Sequence, residues 1–285
     1  MNTTDRTTTA EVAVVIGAGS IGQAIVRRVG VGRTILLADI NAEAAETTAH
    51  QLRTAGYTVE TTHVDVASGD SVAALAQQAP ALGAVTRVIH TAGLSPAQAT
   101  PEAIIAVDLV GVAHVLEELG KVIAAGGSGV VISSQAGHML PPLAPEQNEA
   151  LSRTPAAGLA ALPMLQSDAV PGSGFAYALA KRANILRVQA AAVEWGDQGA
   201  RVNSISPGII MTPLAMDELN GPGGEGYQAM IKASSSGRVG TPDEIGGAAV
   251  FLLGADGAFV NGSDLLIDGG VIASIAAGRY QLAMS

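Results

Sequence analysis

The chain alternates short apolar runs with longer stretches whose apolar residues recur at helical spacing. Glu11-Val12-Ala13-Val14-Val15-Ile16 is one such run; it stops at glycine, as a buried strand does. A helix is expected over residues 20–29, a second strand over 34–38, and a helix capped by Asn41 running to residue 55. The pattern continues with a strand at 57–64, a helix at 68–78, a strand at 85–90 and a long helix at 101–125. A fifth strand at 129–133, a helix at 173–195 and a sixth strand at 201–205 follow. Thr241-Pro242 opens a helix to residue 253, with proline in the first turn, and 265–267 forms a seventh strand. Such alternation predicts an α/β fold: a parallel sheet with helices on both faces.

Two stretches break the rhythm. Residues 138–172 are long, irregular and rich in Pro, Ala and Leu, and residues 209–237 contain five glycines, four of them clustered at 221, 223, 224 and 226. Both follow C-terminal strand ends, the edge where ligands bind in open α/β sheets. No composition shift divides the 285 residues, so a single domain is expected. Residues 1–10 are polar and Thr-rich; they read as a disordered tail and lack the apolar core of a signal peptide.

Composition narrows the function. Hydrophobic residues make up 48% and charged residues 14%, which suits buried strands and close-packed helices. The net charge is −10, with no basic run, which argues against nucleic acid. No apolar run is long enough to span a bilayer. There are no cysteines, in keeping with a cytoplasmic protein, and the five histidines form no metal-ligand spacing.

Two clusters carry chemistry. Gly17-Ala18-Gly19-Ser20-Ile21-Gly22 is a GxGxxG loop between a strand and a helix, where glycines admit a pyrophosphate to the helix N-terminus. Asp39, at the end of the second strand, can hold both ribose hydroxyls and would repel a 2′-phosphate; neither Ala38 nor Ile40-Asn41 supplies a cation. NAD(H) rather than NADP(H) is expected. Tyr177 and Lys181 stand four apart and share a helix face. An ammonium beside a phenol favours phenolate, so the pair is expected to lower the Tyr177 pKa and serve acid–base chemistry on an alcohol or carbonyl.

In this order the motifs resemble the short-chain dehydrogenase/reductase family, from Glu11 to about Gly270. The resemblance rests on the glycine loop, Asp65-Val66, Thr91-Ala92-Gly93, Ile132-Ser133-Ser134 and Tyr177-x3-Lys181, with Asn203-x3-Pro207-Gly208, Thr212 and Ile267-Asp268-Gly269-Gly270 after them. It implies a Rossmann-like doubly wound sheet of seven mainly parallel strands in the order 3-2-1-4-5-6-7. It implies Tyr177 as acid/base, Ser134 as the donor to the substrate oxygen in preference to Ser133, and Lys181 on the nicotinamide ribose. Asp65 and Val66 would flank the adenine, with Ile40 beside Asp39. Thr91, Ala92 and Gly93 would line the cofactor cleft, and Pro207, Gly208, Ile209 and Thr212 would border the nicotinamide. The implied activity is NAD-dependent interconversion of a secondary alcohol and a ketone. The family generally forms dimers or tetramers; a homotetramer is expected, through the small apolar face of Ala183, Leu186, Ala190 and Val193.

The chain departs from the family pattern. Its glycine loop is one residue shorter, and Ile16 replaces a Thr. His90-Thr91-Ala92-Gly93 replaces Asn-Asn-Ala-Gly, and Asp108 stands where a catalytic Asn is expected. Between Ser134 and Tyr177 lie 42 residues, a longer insertion than usual and similar to that of hydroxysteroid dehydrogenase and carbonyl reductase members. Its Met139-to-Leu143 segment and the leucines at 159–165 suggest a hydrophobic substrate. Residues 209–237 read either as a substrate lid, with Met211, Leu214, Met216, Tyr227 and Met230 closing over the site, or as a permanently packed loop. His138 reads either as a substrate contact or as a packed residue. Two other functions stay open: a non-catalytic NAD-binding sensor or scaffold, and an epimerase or dehydratase.

Overall fold

The computed structural model describes residues 10–221 and 223–280. Apart from Ala10, the tail expected at the start of the chain lies outside them. Seven strands form one sheet: β1 (Glu11–Ile16), β2 (Thr34–Asp39), β3 (Thr58–His63), β4 (Ala84–His90), β5 (Ile123–Ile132), β6 (Arg201–Pro207) and β7 (Asp264–Ile267). Their order is β3-β2-β1-β4-β5-β6-β7 and every pair is parallel, as expected. The order reverses between β1 and β4, and the crevice beyond their C-terminal ends is where such sheets bind ligands.

Helices cover both faces, which is why β1 is buried at every position after Glu11. Side chains alternate across the strand. Val12, Val14 and Ile16 pack with α3 (Gly69–Gln78), α5 (Gly111–Gly120) and α9 (Ser173–Asp197). Val15 packs on the other face with α1 (Ser20–Val29), α2 (Ala42–Thr54) and α12 (Pro242–Leu253). Asn41 caps α2 by accepting from Ala44 N–H at 3.0 Å. Thr241 and Glu244 form a reciprocal capping box on α12. Trp195 is core: its indole N–H donates to the Leu116 carbonyl at 3.1 Å, and its ring abuts Gly120 and Gly129.

The long helix expected over 101–125 is shorter and interrupted. It consists of α4 (Pro101–Ile104), a π-helical stretch Ile105–Val110, and α5, and the chain is already in β5 at Ile123. The π-helical stretch contains Asp108; such widened turns frequently mark functional sites.

The two stretches expected to be irregular are largely helical. The first holds the end of α6 (Ala136–Met139), α7 (Pro145–Arg153), α8 (Ala156–Leu159) and a 3₁₀ turn at Pro163–Leu165. Leu151, Leu159 and Leu165 are buried, with Leu140, Leu143, Leu162 and Met164 packed beside them, against α9 and the π-helical stretch. Arg187 of α9 ties this insertion down by donating to the Leu151 and Thr154 carbonyls at 3.0 and 2.8 Å. The leucines taken as a sign of a hydrophobic substrate are therefore core residues. The second stretch folds into α10 (Pro213–Asn220) and α11 (Gly224–Ala233), so Gly224 and Gly226 sit inside a helix. A last helix, α13 (Val271–Ala276), lies outside the expected elements. No helix among the described residues is long and apolar enough to cross a membrane.

Candidate active site

The glycine loop closes on itself because of its neighbours. Gly17 has φ +103°, and a Cβ there would sit 2.6 Å from Thr91 Oγ1 and 2.7 Å from Ala92 N. A Cβ on Gly22 would lie 2.5 Å from the Gly17 carbonyl. Only glycine allows β1, β4 and the start of α1 to approach this closely. Thr91, where the family has Asn, donates through Oγ1 to the Gly17 carbonyl at 3.1 Å, and Ala92 N–H donates to the Ile16 carbonyl at 3.0 Å. Gln23 and Thr48 hold the Ala18 carbonyl at 2.9 and 3.2 Å. These bonds brace the shortened loop.

Asp39 faces the same cleft. Its Oδ2 accepts from Ala18 N–H and its Oδ1 from Asn41 N–H, each at 2.8 Å. Each oxygen keeps a lone pair for a further donor. Gly17, Gly19, Ser20, Ile21 and Asp39 line this cleft, and Thr91, Ala92, Gly93 and Thr212 close it. Glu43 adds a second carboxylate, and the lining residues include no Lys or Arg. Ile40 is exposed and outside the lining. Asp65 and Val66 are outside it too: Asp65 Oδ1 accepts from Ala67 N–H at 3.0 Å, and Val66 is buried against Gly111. Glycines that a Cβ would overfill, beside an acceptor carboxylate at a helix N-terminus, fit a dinucleotide.

The cleft runs into a second cavity lined by Ser134, Tyr177, Lys181, Pro207, Gly208 and Ile209, with Gly93 and Thr212 shared between the two. Ser133 is buried, and its Oγ donates to the Lys181 carbonyl at 2.7 Å, so it anchors α9. Ser134, one residue further from β5, is half-buried with Oγ accepting from Ala136 N–H at 3.2 Å, and its hydroxyl is directed to the Tyr177 phenol oxygen. Lys181 Nζ sits 5.2 Å from the Tyr177 ring centroid. Asp108 Oδ1 accepts from Leu94 N–H at 2.7 Å, and its Oδ2 lies 3.1 Å from Lys181 Nζ.

Lys181 pulls the Tyr177 pKa down as expected, but it does not set the net direction. The Tyr177 pKa is raised, not lowered. Burial of the phenol is the main cause; Lys181 and the Ser134 hydroxyl pull the other way, while the charges of Asp108 and Glu218 add to the rise. Burial alone would lower the Lys181 pKa, but Asp108 and Tyr177 outweigh it and hold the ammonium charged. The ion pair with Asp108 thus spends part of the field that Lys181 would otherwise exert on Tyr177.

The segment after β6 covers the cavity. Leu214, Tyr227 and Met230 line it, whereas Met211 and Met216 are exposed and do not. Glu218 of α10 also lines it and accepts a hydrogen bond from Ser95, in the loop after β4. Gln98 Nε2 reaches Asp217 at 3.4 Å beside it. Neither Ser95 nor Glu218 carries a signal in the sequence; only the fold brings them together. His138 is turned from the site, with Nε2 2.8 Å from Asp264 Oδ2, whose other oxygen takes the Ser204 and Ser206 hydroxyls. Of the face expected to pair subunits, Ala183 is fully buried within the chain, while Val193 is 68% exposed.

Comparison with known proteins fits this geometry. Residues 11–145 match the family model described as short chain dehydrogenase, and residues 150–272 match that described as enoyl-(acyl carrier protein) reductase. The chain is 40% identical to the short-chain dehydrogenase/reductase bsc3 of Alternaria brassicicola over 264 residues, covering 92% of this chain and 96% of that protein. It is 32% identical to the D-threitol dehydrogenase of Mycolicibacterium smegmatis, covering 91% and 92%. The solved short-chain dehydrogenase/reductase of Serratia marcescens shares the fold with a TM-score of 0.73 at 24% identity, over 92% of this chain and 98% of that one. The chain belongs to the short-chain dehydrogenase/reductase family of oxidoreductases.

Proposed function

We propose that this protein is an NAD(H)-dependent dehydrogenase that interconverts a secondary alcohol and a ketone, with Tyr177 as the acid/base. The observation that carries the reading is the meeting of Ser134, Tyr177 and Lys181 on one cavity that opens into the glycine cleft. The alcohol named for the D-threitol dehydrogenase relative supports the substrate class. Asp39 and Glu43, with no cation in the cleft lining, support NAD(H) over NADP(H).

The nicotinamide would accept hydride from the carbinol carbon in oxidation and return it in reduction. The Gly17–Gly22 loop would hold the pyrophosphate on backbone N–H groups, and Asp39 the adenosine ribose. Lys181 would bind the second ribose. Tyr177 would take the hydroxyl proton from the substrate oxygen, and Ser134 would donate to the same oxygen as charge develops on it. Leu94, Leu214 and Met230 would exclude water from the reacting oxygen. Leu186, Ala190 and Val193, without Ala183, would supply an apolar stripe for a homotetramer.

The test is a panel of alcohols with NAD+ or NADP+, read at the reduced-nicotinamide absorbance. We expect stoichiometric NADH, which also excludes an epimerase or dehydratase cycle. Tyr177→Phe should lower turnover roughly 10²–10⁴-fold while NADH binding persists. Near-normal turnover in that variant would defeat the assignment, and binding without turnover of any substrate would point to a sensor.

A further inference from the structure

Apart from Lys181, Glu218 is the one charged residue lining the cavity among the described residues. It stands one helical turn after Leu214 on α10, and both side chains reach the cavity. The start of α10 is fixed by Thr212, whose Oγ1 accepts from Ala215 N–H at 3.1 Å. From the opposite wall Ser95, 3% exposed, donates its hydroxyl to Glu218 Oε1. Glu218 makes no ion pair among the described residues. It is half-buried, its charge reaches the Tyr177 phenol, and it takes a hydrogen bond from the Tyr227 phenol.

A carboxylate offers acceptors only, about four lone-pair sites, and the Ser95 and Tyr227 hydroxyls occupy two of them. Half-buried and without a counter-ion among the described residues, the remaining lone pairs are open to a donor from a ligand in the cavity. Ser134 and Tyr177 face the reacting oxygen, so Glu218 is left to meet another part of the substrate. We propose that Glu218 determines specificity by accepting a hydrogen bond from a second hydroxyl of the substrate, so that the site prefers a diol or polyol to a mono-alcohol. This rests on the dehydrogenase reading above. A mono-alcohol would leave the carboxylate unpaired beneath α10, and a substrate bearing its own carboxylate there would be repelled.

The experiment compares kcat/KM for a cyclic vicinal diol and for the mono-alcohol of the same ring, with NAD+. The proteins are wild type, Glu218→Leu, Glu218→Gln and Ser95→Ala. We expect the wild type to favour the diol by roughly tenfold or more, and Glu218→Leu to lose that preference, chiefly through the KM of the diol. Glu218→Gln, which keeps the shape and one acceptor, should lose it in part; this variant carries the test if the leucine variant does not fold. A wild-type preference for the mono-alcohol, or an unchanged ratio in the Glu218 variants, overturns the proposal while leaving the dehydrogenase reading intact. Equal losses for both substrates in Ser95→Ala and Glu218→Leu, at constant ratio, would make the contact a structural latch and also overturn it. No turnover of any alcohol removes both readings together.

Discussion

Lys181 Nζ lies 3.1 Å from Asp108 Oδ2, in an ion pair whose side chains are 5% and 0% exposed. The pair joins α9 to the π-helical stretch directly behind Tyr177. Two opposite charges this close act on Tyr177 nearly as a dipole, which explains why burial prevails in setting the phenol pKa. Leu94 N–H fixes the other carboxylate oxygen at 2.7 Å, so Asp108 is held in place.

Replacing Asp108 by Asn keeps the acceptor for Leu94 and removes the charge. Asp108 raises the Tyr177 pKa, so its loss should lower it. Alcohol oxidation needs the phenolate, and the acidic limb of its pH–rate profile should therefore move to lower pH. A profile that stays in place or moves upward would show that Asp108 does not govern Tyr177.

Asp39 accepts from Ala18 and Asn41, so it braces the glycine loop as well as facing the ribose position. In Asp39→Ala the affinity gap between NAD(H) and NADP(H) should narrow by roughly tenfold, because an acceptor for the ribose hydroxyls and a charge repelling a 2′-phosphate both vanish. Titrations of both cofactors against wild type and variant decide the point. Tighter NADP(H) binding by the wild type would overturn the cofactor assignment.

His90 ends β4, almost completely buried, and neither ring nitrogen has a hydrogen-bond partner among the described residues. Burial, helped by the Lys181 charge, pushes its pKa down to about 3 from the usual 6.5. The unfolded chain then binds a proton that the folded chain refuses. Stability from this source is complete above pH 6.5 and is lost as pH falls toward 3. Between pH 7 and pH 5 the loss should reach roughly 2 kcal/mol. Urea unfolding of wild type and His90→Asn at those two pH values measures it; the variant should show a correspondingly smaller decline. Identical declines would mean that His90 is not held neutral.

The sequence by itself determined the seven parallel strands, their order through the family resemblance, the glycine loop and the Tyr177–Lys181 spacing. These are local features: apolar runs closed by glycine, helical spacing and short motifs carry them within a few residues. Two helices in each long insertion escaped that reading, because stretches rich in Pro and Gly present no sustained period; α7 and α10 begin at Pro145 and Pro213 and are held by packing and capping. Tertiary structure decided what depends on distant neighbours. It buried Leu159, Leu165 and Ala183, which the sequence offered to substrate or subunit. It turned His138 to Asp264 and brought Glu218 to Ser95 across 123 positions. It also set the direction of the Tyr177 shift, since desolvation and charges arriving from α9, α10 and the π-helical stretch compete there, and no spacing in the sequence records their balance.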